Sequence, residues 1–325
     1  MRALVTGATG IVGREVTKAL LARETPVRVL IRDPKKAWPQ PNLETAIGDV
    51  RDADAMNRAT VGCTHVFHLA AEIHGKNVTS ESLFATNLEG TRNIARAALQ
   101  QGVTRLIYAS SVAVYGRSIS LHGIDEKTPA TPDSPYGASK LAAEESVRST
   151  NGLPFVIVRL ANIWGPGAHT WAPLFQKIAS GRFRLVGKGT GMHTISSPTD
   201  AARGILLCGD TPGIEARTYI MSGKDALPLS ALVNLIRDET GGAPLQEPLP
   251  STPLGMYRTL DRIAYRFSRR RLPKADRLDF FLGDRTFDNT AAQRDLGYAP
   301  EMTASQIVRA TAEWFRAEGL LTNRS

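Results

Sequence analysis

At 325 residues, 42% apolar and 22% charged, the chain is long enough for one large domain or two fused lobes with a sizeable core, and its composition is that of a soluble globular protein. No apolar stretch approaches the ~20 residues of a membrane span. No Cys/His spacing suits a metal ion. The net charge of +9 is concentrated in MYRTLDRIAYRFSRRRLPKADR (256–277), which holds eight Lys/Arg against two Asp; the basic pI therefore marks one segment, not a nucleic-acid-binding fold.

In chain order, the first element is the apolar run ALVT (3–6), a strand that leads into VTGATGIVG (5–13) and a helix over 11–22. The apolar run at the N-terminus stops at Gly7, too short for a secretory leader, so a cytoplasmic chain is expected. Further strands are PVRVLI (26–31), HVFHLA (65–70), RLIYAS (105–110) and PFVIVRL (154–160), with helical patterns over 80–101 and 136–149 between them. Near-continuous apolar runs rich in Val and Ile read as strands buried on both faces of a parallel sheet. Their alternation with helices predicts an α/β fold with a doubly wound parallel sheet. Cys63 and Cys208 adjoin such runs and read as buried, reduced thiols.

Beyond residue 160 the pattern loosens. WGPGAHTWAP (164–173) and GKGTG (187–191) are connections; HTIS (193–196), a helix over 198–207 and TYIMS (218–222) then return to the sheet. Helices follow over 228–240, 253–269 and 303–317, interrupted by the proline-rich GGAPLQEPLPSTP (241–253). The predicted division is a dinucleotide-binding domain over 1–163, rejoined by 192–222, and a smaller, mostly helical substrate lobe over 164–191 and 223–325.

Three stretches carry chemistry. Gly7, Gly10 and Gly13 sit where a strand passes into a helix; they permit a tight turn and close approach of a pyrophosphate to the free N–H groups of the helix start. At the end of the second strand, where an acidic side chain would hold the ribose 2′-hydroxyl of NAD, stands Arg32. A guanidinium there suits a 2′-phosphate, and Lys35 and Lys36 add positive charge. NADP(H) is the favoured cofactor. Asp33, one residue on, either caps the next turn or reaches the ribose and favours NAD(H). Finally, SPYGASKLAAE (134–144) places Tyr136 and Lys140 one helical turn apart. A phenol has an ordinary pKa of ~10; a neighbouring ammonium would favour the phenolate and bring it toward the range useful for general acid–base catalysis.

The GxxGxxG spacing of residues 7–13, together with YGASK (136–140), resembles the short-chain dehydrogenase/reductase superfamily. The length and later motifs, among them RTFDNTAAQRDLGYAP (285–300) and TAEWF (311–315), resemble its extended branch of sugar-nucleotide epimerases, 4,6-dehydratases and 3β-hydroxysteroid dehydrogenases. The resemblance implies a Rossmann fold whose glycine loop, with Thr9, Ile11 and Val12, holds the cofactor. Asp49 and Val50 of GDVRD would lie at the adenine, Leu69, Ala70 and Ala71 would form a wall after the fourth strand, and Asn87 of TNLEGT would lie near the cofactor. Read singly, Asp49 is also an ordinary turn residue, Ala70 and Ala71 packing, and Asn87 a helix cap. The resemblance makes Ser111 of SSVAVYG the hydroxyl that positions substrate, with Ser110 the neighbouring alternative; Tyr136 the acid–base; and Lys140 a ligand of the nicotinamide ribose.

The same resemblance narrows the chemistry. Dehydratases carry an Asp–Glu pair after the catalytic hydroxyl, where this chain has Val112 and Ala113, so dehydration is not expected. Asn162 matches a position that anchors a substrate diphosphate, but in HTISSPTD His193 replaces an expected arginine and only Asp200 remains of an acidic pair. Asn162 and His193 are therefore the substrate-side candidates, His193 also reading as a simple strand residue. The branch's ketone chemistry on bulky apolar substrates fits better than the alternative, an NDP-sugar epimerase. A non-catalytic NADP-binding regulator would usually have lost Tyr136 or Lys140. Relatives often dimerise through the helix that bears the tyrosine, so a homodimer is expected. In 256–271, Met256, Leu260, Ile263 and Phe267 recur at helical spacing among Arg258, Arg262, Arg266 and Arg269. This reads as a helix packed on the lobe with a basic solvated face, or as a peripheral membrane contact.

Overall fold

The structure is a computed structural model that describes every residue except 74, 76, 77, 117–120, 269–282 and 322–325. Strands β1 (Ala3–Thr6), β2 (Val27–Ile31), β4 (His65–His68), β5 (Arg105–Ser111), β7 (Phe155–Leu160) and β9 (Thr218–Met221) form the predicted sheet, almost wholly buried. The edge strand β3 (Leu43–Ile47) completes it. All seven are parallel, in the order β3-β2-β1-β4-β5-β7-β9. This is the Rossmann arrangement, and the chain reverses direction across the sheet between β1 and β4. β3 escapes the sequence pattern because it is half solvated and carries Glu44 and Thr45 where a buried strand would carry Val or Ile. Helix α2 (Ala53–Thr60), capped by Asp52, escapes it for being short and polar on its outer face.

Alternation along β1 sends Ala3 and Val5 to one core and Leu4 to the other. The first core packs under α1 (Ile11–Ala22) and α7 (Pro198–Asp210) and contains Cys208; the second packs under α2, α4 (Gly90–Gln100) and α5 (Pro135–Arg148) and contains Cys63. The thiols lie on opposite faces of the sheet, and neither forms a disulfide. The helix expected over 80–101 is present as α3 (Ser80–Phe84) and α4, joined by a π-helical turn over Ala85–Glu89. Such turns cluster at functional sites, and this one holds Asn87.

A second sheet was not anticipated. Strands β6 (Leu121–Ile124), β8 (Met192–Thr194), β10 (Ala226–Pro228) and β11 (Arg285–Phe287) pair in the order β10-β8-β11-β6. Met192–Thr194, expected to return to the large sheet, lies here instead. Segments of three or four residues bury too little to show a period. The remaining helices, α6 (Ala172–Ala179), α8 (Leu229–Thr240), α9 (Ser251–Ser268), α10 (Thr290–Leu296) and α11 (Ala304–Ala317), belong to the C-terminal half. There Trp164, Phe175 and Phe315 anchor a separate core.

Candidate active site

The C-terminal ends of β1, β4 and β5 converge where the strand order reverses, and the sequence motifs meet there. The turn after β1 depends on Gly7, whose φ of +73° suits glycine; a Cβ on it would stand 2.6 Å from the backbone of Leu69 and Ala70. The loop after β1 thus lies directly against the loop after β4. Gly10 caps α1 without any side-chain acceptor and no acidic residue occupies the first turn, so the helix start keeps its N–H groups and partial positive charge for an anion. Thr9 and Ile11 are partly exposed in this loop, while Val12 and Gly13 are buried beneath it. This cradle fits a dinucleotide's phosphates.

Behind the cradle, Thr6 Oγ1 accepts from the Ala70 N–H at 3.2 Å and lies 2.7 Å from His68 Nδ1, while His68 Nε2 lies 3.0 Å from Thr91 Oγ1. Thr91 donates its own proton to Asn87 O, so it accepts from His68. The buried imidazole is therefore the Nε2–H tautomer. Burial, then the charge of Lys140, holds its pKa down at about 3, which keeps it neutral. Asn87 Oδ1 accepts from Glu72 N–H, and Nδ2 donates to Glu72 O and Ser139 Oγ. It clasps the loop after β4 to α5. Leu69 and Ala70 are half-buried and Ala71 is exposed along this wall.

At the far end of the crevice Arg32 and Lys36 are exposed. Asp33 caps the short turn Pro34–Lys36, accepting from Lys35 N–H at 3.0 Å. Asp49 accepts from the Arg51 N–H and from Arg51 Nε and Nη2, which with nearby Arg32 holds its carboxyl below the usual range. Val50 is buried against Gly90 at the start of α4.

The third group sits on α5. Ser134 caps the helix, accepting from Gly137 N–H, and Pro135 opens it. A Cβ on Gly137 would come 2.4 Å from Ala113 O, so only glycine lets α5 abut the turn after β5 and bring Tyr136 to Ser111. The two hydroxyls share a hydrogen bond. Ser111 also accepts from Ala113 N–H at 3.1 Å. Ser110, by contrast, donates to buried Glu144 at 2.6 Å, which assigns it to the interior. Lys140 is almost fully buried; Nζ donates to Ala109 O at 2.6 Å and lies 4.4 Å from the centre of the Tyr108 ring.

One expectation about this group fails. Lys140 does not depress the phenol: burial raises Tyr136 above its ordinary value, with only the Ser111 hydrogen bond opposing. The same burial pulls Lys140 itself down to about 7, against the charge of Glu144 one turn on. Desolvation wins because Glu144 is already engaged by Arg159 and Ser110. Lys140 therefore costs stability. Lys140→Met is expected to raise the melting temperature of the free protein at pH 7 by roughly 2–4 °C, about 1 kcal/mol, while abolishing turnover. The difference is full below pH 7, where the lysine is charged in both states. It shrinks as pH rises toward 10.5, because only the unfolded state then binds the proton. Thermal melts across that window check it; a variant that melts lower at pH 7 would refute the account.

On the substrate side, Asn162 has φ +29° and donates to Thr194 O. His193 is buried within β8, between Leu227 and Arg285. Burial, then Arg285, brings its pKa to about 4. Asp200 is buried, bonded by Ser197, Arg203 and the N–H groups of Glu301 and Met302. Asn162 and Asp200 are thus bonded to segments remote in the chain, and His193 lies inside the second sheet. The sequence reading missed Thr6, His68, Thr91, Tyr108, Ser139, Glu144 and Arg159. Only Glu144 had a local signal, its i+4 spacing from Lys140; the others are polar residues in strands or helices whose partners are remote in sequence.

A family model described as NAD dependent epimerase/dehydratase family matches residues 3–219. The chain is 29% identical to a 4-hydroxy-2-methyl-3-oxo-4-farnesyl-3,4-dihydroquinoline-1-oxide ketoreductase of Stigmatella aurantiaca, over 94% of both chains. It is likewise 29% identical to a 3 beta-hydroxysteroid dehydrogenase/Delta 5→4-isomerase of Mycobacterium tuberculosis, over 94% of this chain and 88% of the relative. Among solved structures, the dTDP-glucose 4,6-dehydratase DesIV of Streptomyces venezuelae, with NAD and TYD bound, superposes with a TM-score of 0.77 at 26% identity over 99% of each chain.

Proposed function

Because the chain belongs to the NAD-dependent epimerase/dehydratase family, we propose that it is an NADP-dependent ketoreductase or alcohol dehydrogenase acting on a secondary alcohol or ketone of a bulky apolar molecule. The observation that carries this reading is the meeting of Ser111, Tyr136 and Lys140 beside the glycine cradle, with buried Val112 and half-buried Ala113 following Ser111. Those apolar residues offer no acid or base for removing water. The S. aurantiaca and M. tuberculosis relatives are named for a farnesyl-bearing ketone and a steroid, which supports a large apolar substrate.

A bound nicotinamide supplies or takes up the hydride. The protein's own residues manage the proton. Tyr136, kept protonated through neutral pH by burial, gives its proton to the substrate oxygen in reduction and takes it back in oxidation. Ser111 orients that oxygen and stabilises the phenolate that forms. Lys140, already near its charging point, favours that phenolate as it protonates. Purified protein with NADPH and a panel of steroid, terpenoid and β-keto-acyl ketones tests the reading. Turnover of NDP-sugar 4-epimers without net cofactor consumption, and none of ketones, would replace it with the epimerase alternative.

Arg32 carries the cofactor preference. Asp33 is spent as a cap and Asp49 is engaged by Arg51, so the exposed guanidinium is the charged group that supports recognition of a 2′-phosphate. One or two charged hydrogen bonds are worth ~1.5–3 kcal/mol each. NADPH is therefore expected to bind at least ~10-fold more tightly than NADH at low salt. Arg32→Ala should erase most of that gap and leave NADH unchanged. Fluorescence titration of both cofactors decides it; equal affinity in the wild type, or preference for NADH, would sink the assignment.

A further inference from the structure

Helix α9 (Ser251–Ser268) turns the wrong way for a core helix. Its polar Asp261 is buried, at 1% exposure, with Tyr257 and Ala264 partly buried beside it. Its large apolar residues form a separate stripe at i, i+4, i+7 and i+11: Met256, Leu260, Ile263 and Phe267, exposed by 65%, 58%, 50% and 83%. The stripe was one expected packing face of the lobe, and it faces solvent instead. The other large apolar side chains exposed among the described residues, such as Met1, Ile47, Val61 and Leu99, belong to separate elements. In the sequence, Arg258, Arg262 and Arg266 recur every four residues through the same helix, and Arg269, Arg270 and Arg271, outside the described residues, follow it.

We propose that the exposed apolar stripe of α9, with its arginines, is a docking surface for an anionic lipid bilayer. The argument is charge and surface complementarity. An apolar stripe of this kind marks an interaction site, and the occupant must accept both parts of it. A second copy of this chain would bury the apolar side chains but bring two strongly basic segments together. A nucleic acid would meet the arginines and leave the stripe in water. A bilayer with acidic headgroups takes the arginines at its phosphates and the stripe below them, the arrangement of interfacial amphipathic helices. Span also fits: eleven residues of helix extend about 16 Å along the surface. The proposal does not depend on the substrate or cofactor assigned above.

The test is sedimentation of the full-length protein with phosphatidylcholine vesicles, with and without phosphatidylglycerol. The wild type should pellet with the anionic vesicles at low salt, and hardly with neutral ones. Arg269→Gln/Arg270→Gln/Arg271→Gln should weaken partitioning about 100-fold, each basic group contributing roughly fivefold. Leu260→Ser/Phe267→Ser should weaken it ~10-fold or more. Both variants should keep wild-type NADPH binding, and Leu260→Ser/Phe267→Ser should keep the melting temperature, because those two side chains already face solvent. Failure of the wild type to pellet with anionic vesicles, or binding that Leu260→Ser/Phe267→Ser leaves unchanged, overturns the proposal. So does a wild-type dimer that becomes monomeric in that variant without any vesicle binding, which would make the stripe a contact between copies.

Discussion

Tyr136→Phe will lower turnover of a true ketone substrate by roughly 100- to 10,000-fold, the usual weight of general acid–base catalysis, and leave cofactor affinity within about twofold. The phenol shares a hydrogen bond with Ser111, and its proton is retained through neutral pH because burial raises its pKa. Phenylalanine preserves the ring, so the packing of α5 against the turn after β5 stays as it is. The substitution removes the proton and the hydrogen bond to Ser111 and little else. Steady-state kinetics with titration of NADPH separate the two effects. A loss confined to KM would mean that Tyr136 only binds substrate. Wild-type turnover would move the acid–base role elsewhere.

Glu144→Ala should destabilise the fold by ~3–5 kcal/mol. Glu144 is buried; Oε1 accepts from Ser110 at 2.6 Å and from Arg159 Nε at 3.0 Å, and Oε2 accepts from Arg159 Nη2 at 2.7 Å. Arg159 continues the network by donating to the Tyr115 hydroxyl, which donates in turn to Asp125 O. Removing the carboxylate leaves a guanidinium buried between β7 and α5 with its charge uncompensated, and strands the Ser110 hydroxyl. Glu144→Gln keeps the volume and one acceptor, so it should lose less. Denaturant midpoints of the two variants measure the difference. A loss below about 1 kcal/mol for the alanine variant would show that water reaches Arg159. The network has a consequence for the site, since it ties the strand that ends in Ser111 to the helix that carries Tyr136 and Lys140.

Much of this was legible before folding. Burial on both faces forces a parallel strand to be apolar throughout, so β1, β2, β4, β5 and β7 announce themselves as runs. Close backbone approach forces glycine, so Gly7, Gly10 and Gly13 mark the tight turn between β1 and α1. Tyr136 and Lys140 share a helix, and a one-turn spacing is a local property. Weak local signals were lost: β3 is half solvated, and β6, β8, β10 and β11 are too short to show a period. The exposure of Met256, Leu260, Ile263 and Phe267 was illegible too, because helical spacing shows that four side chains share a face but not what the face meets.

By itself, then, the sequence determined the nucleotide-binding half, its crevice and the Tyr–Lys pair, because each rests on contacts between near neighbours or on a pattern repeated along one element. Only the tertiary structure decided between Ser110 and Ser111, by placing Glu144 and Arg159 behind the first and Tyr136 beside the second. It alone assigned Asp33 to a cap, bonded Asn162 to Thr194 and Asp200 to Glu301 and Met302, placed His193 inside the second sheet, and let burial rather than Lys140 govern the phenol. The Asp33 cap reaches only to Lys35; for the others the physical reason is the same. Desolvation and hydrogen-bond commitment depend on which groups, 30 to 100 positions apart in the chain, end up around a side chain, and no local spacing encodes that.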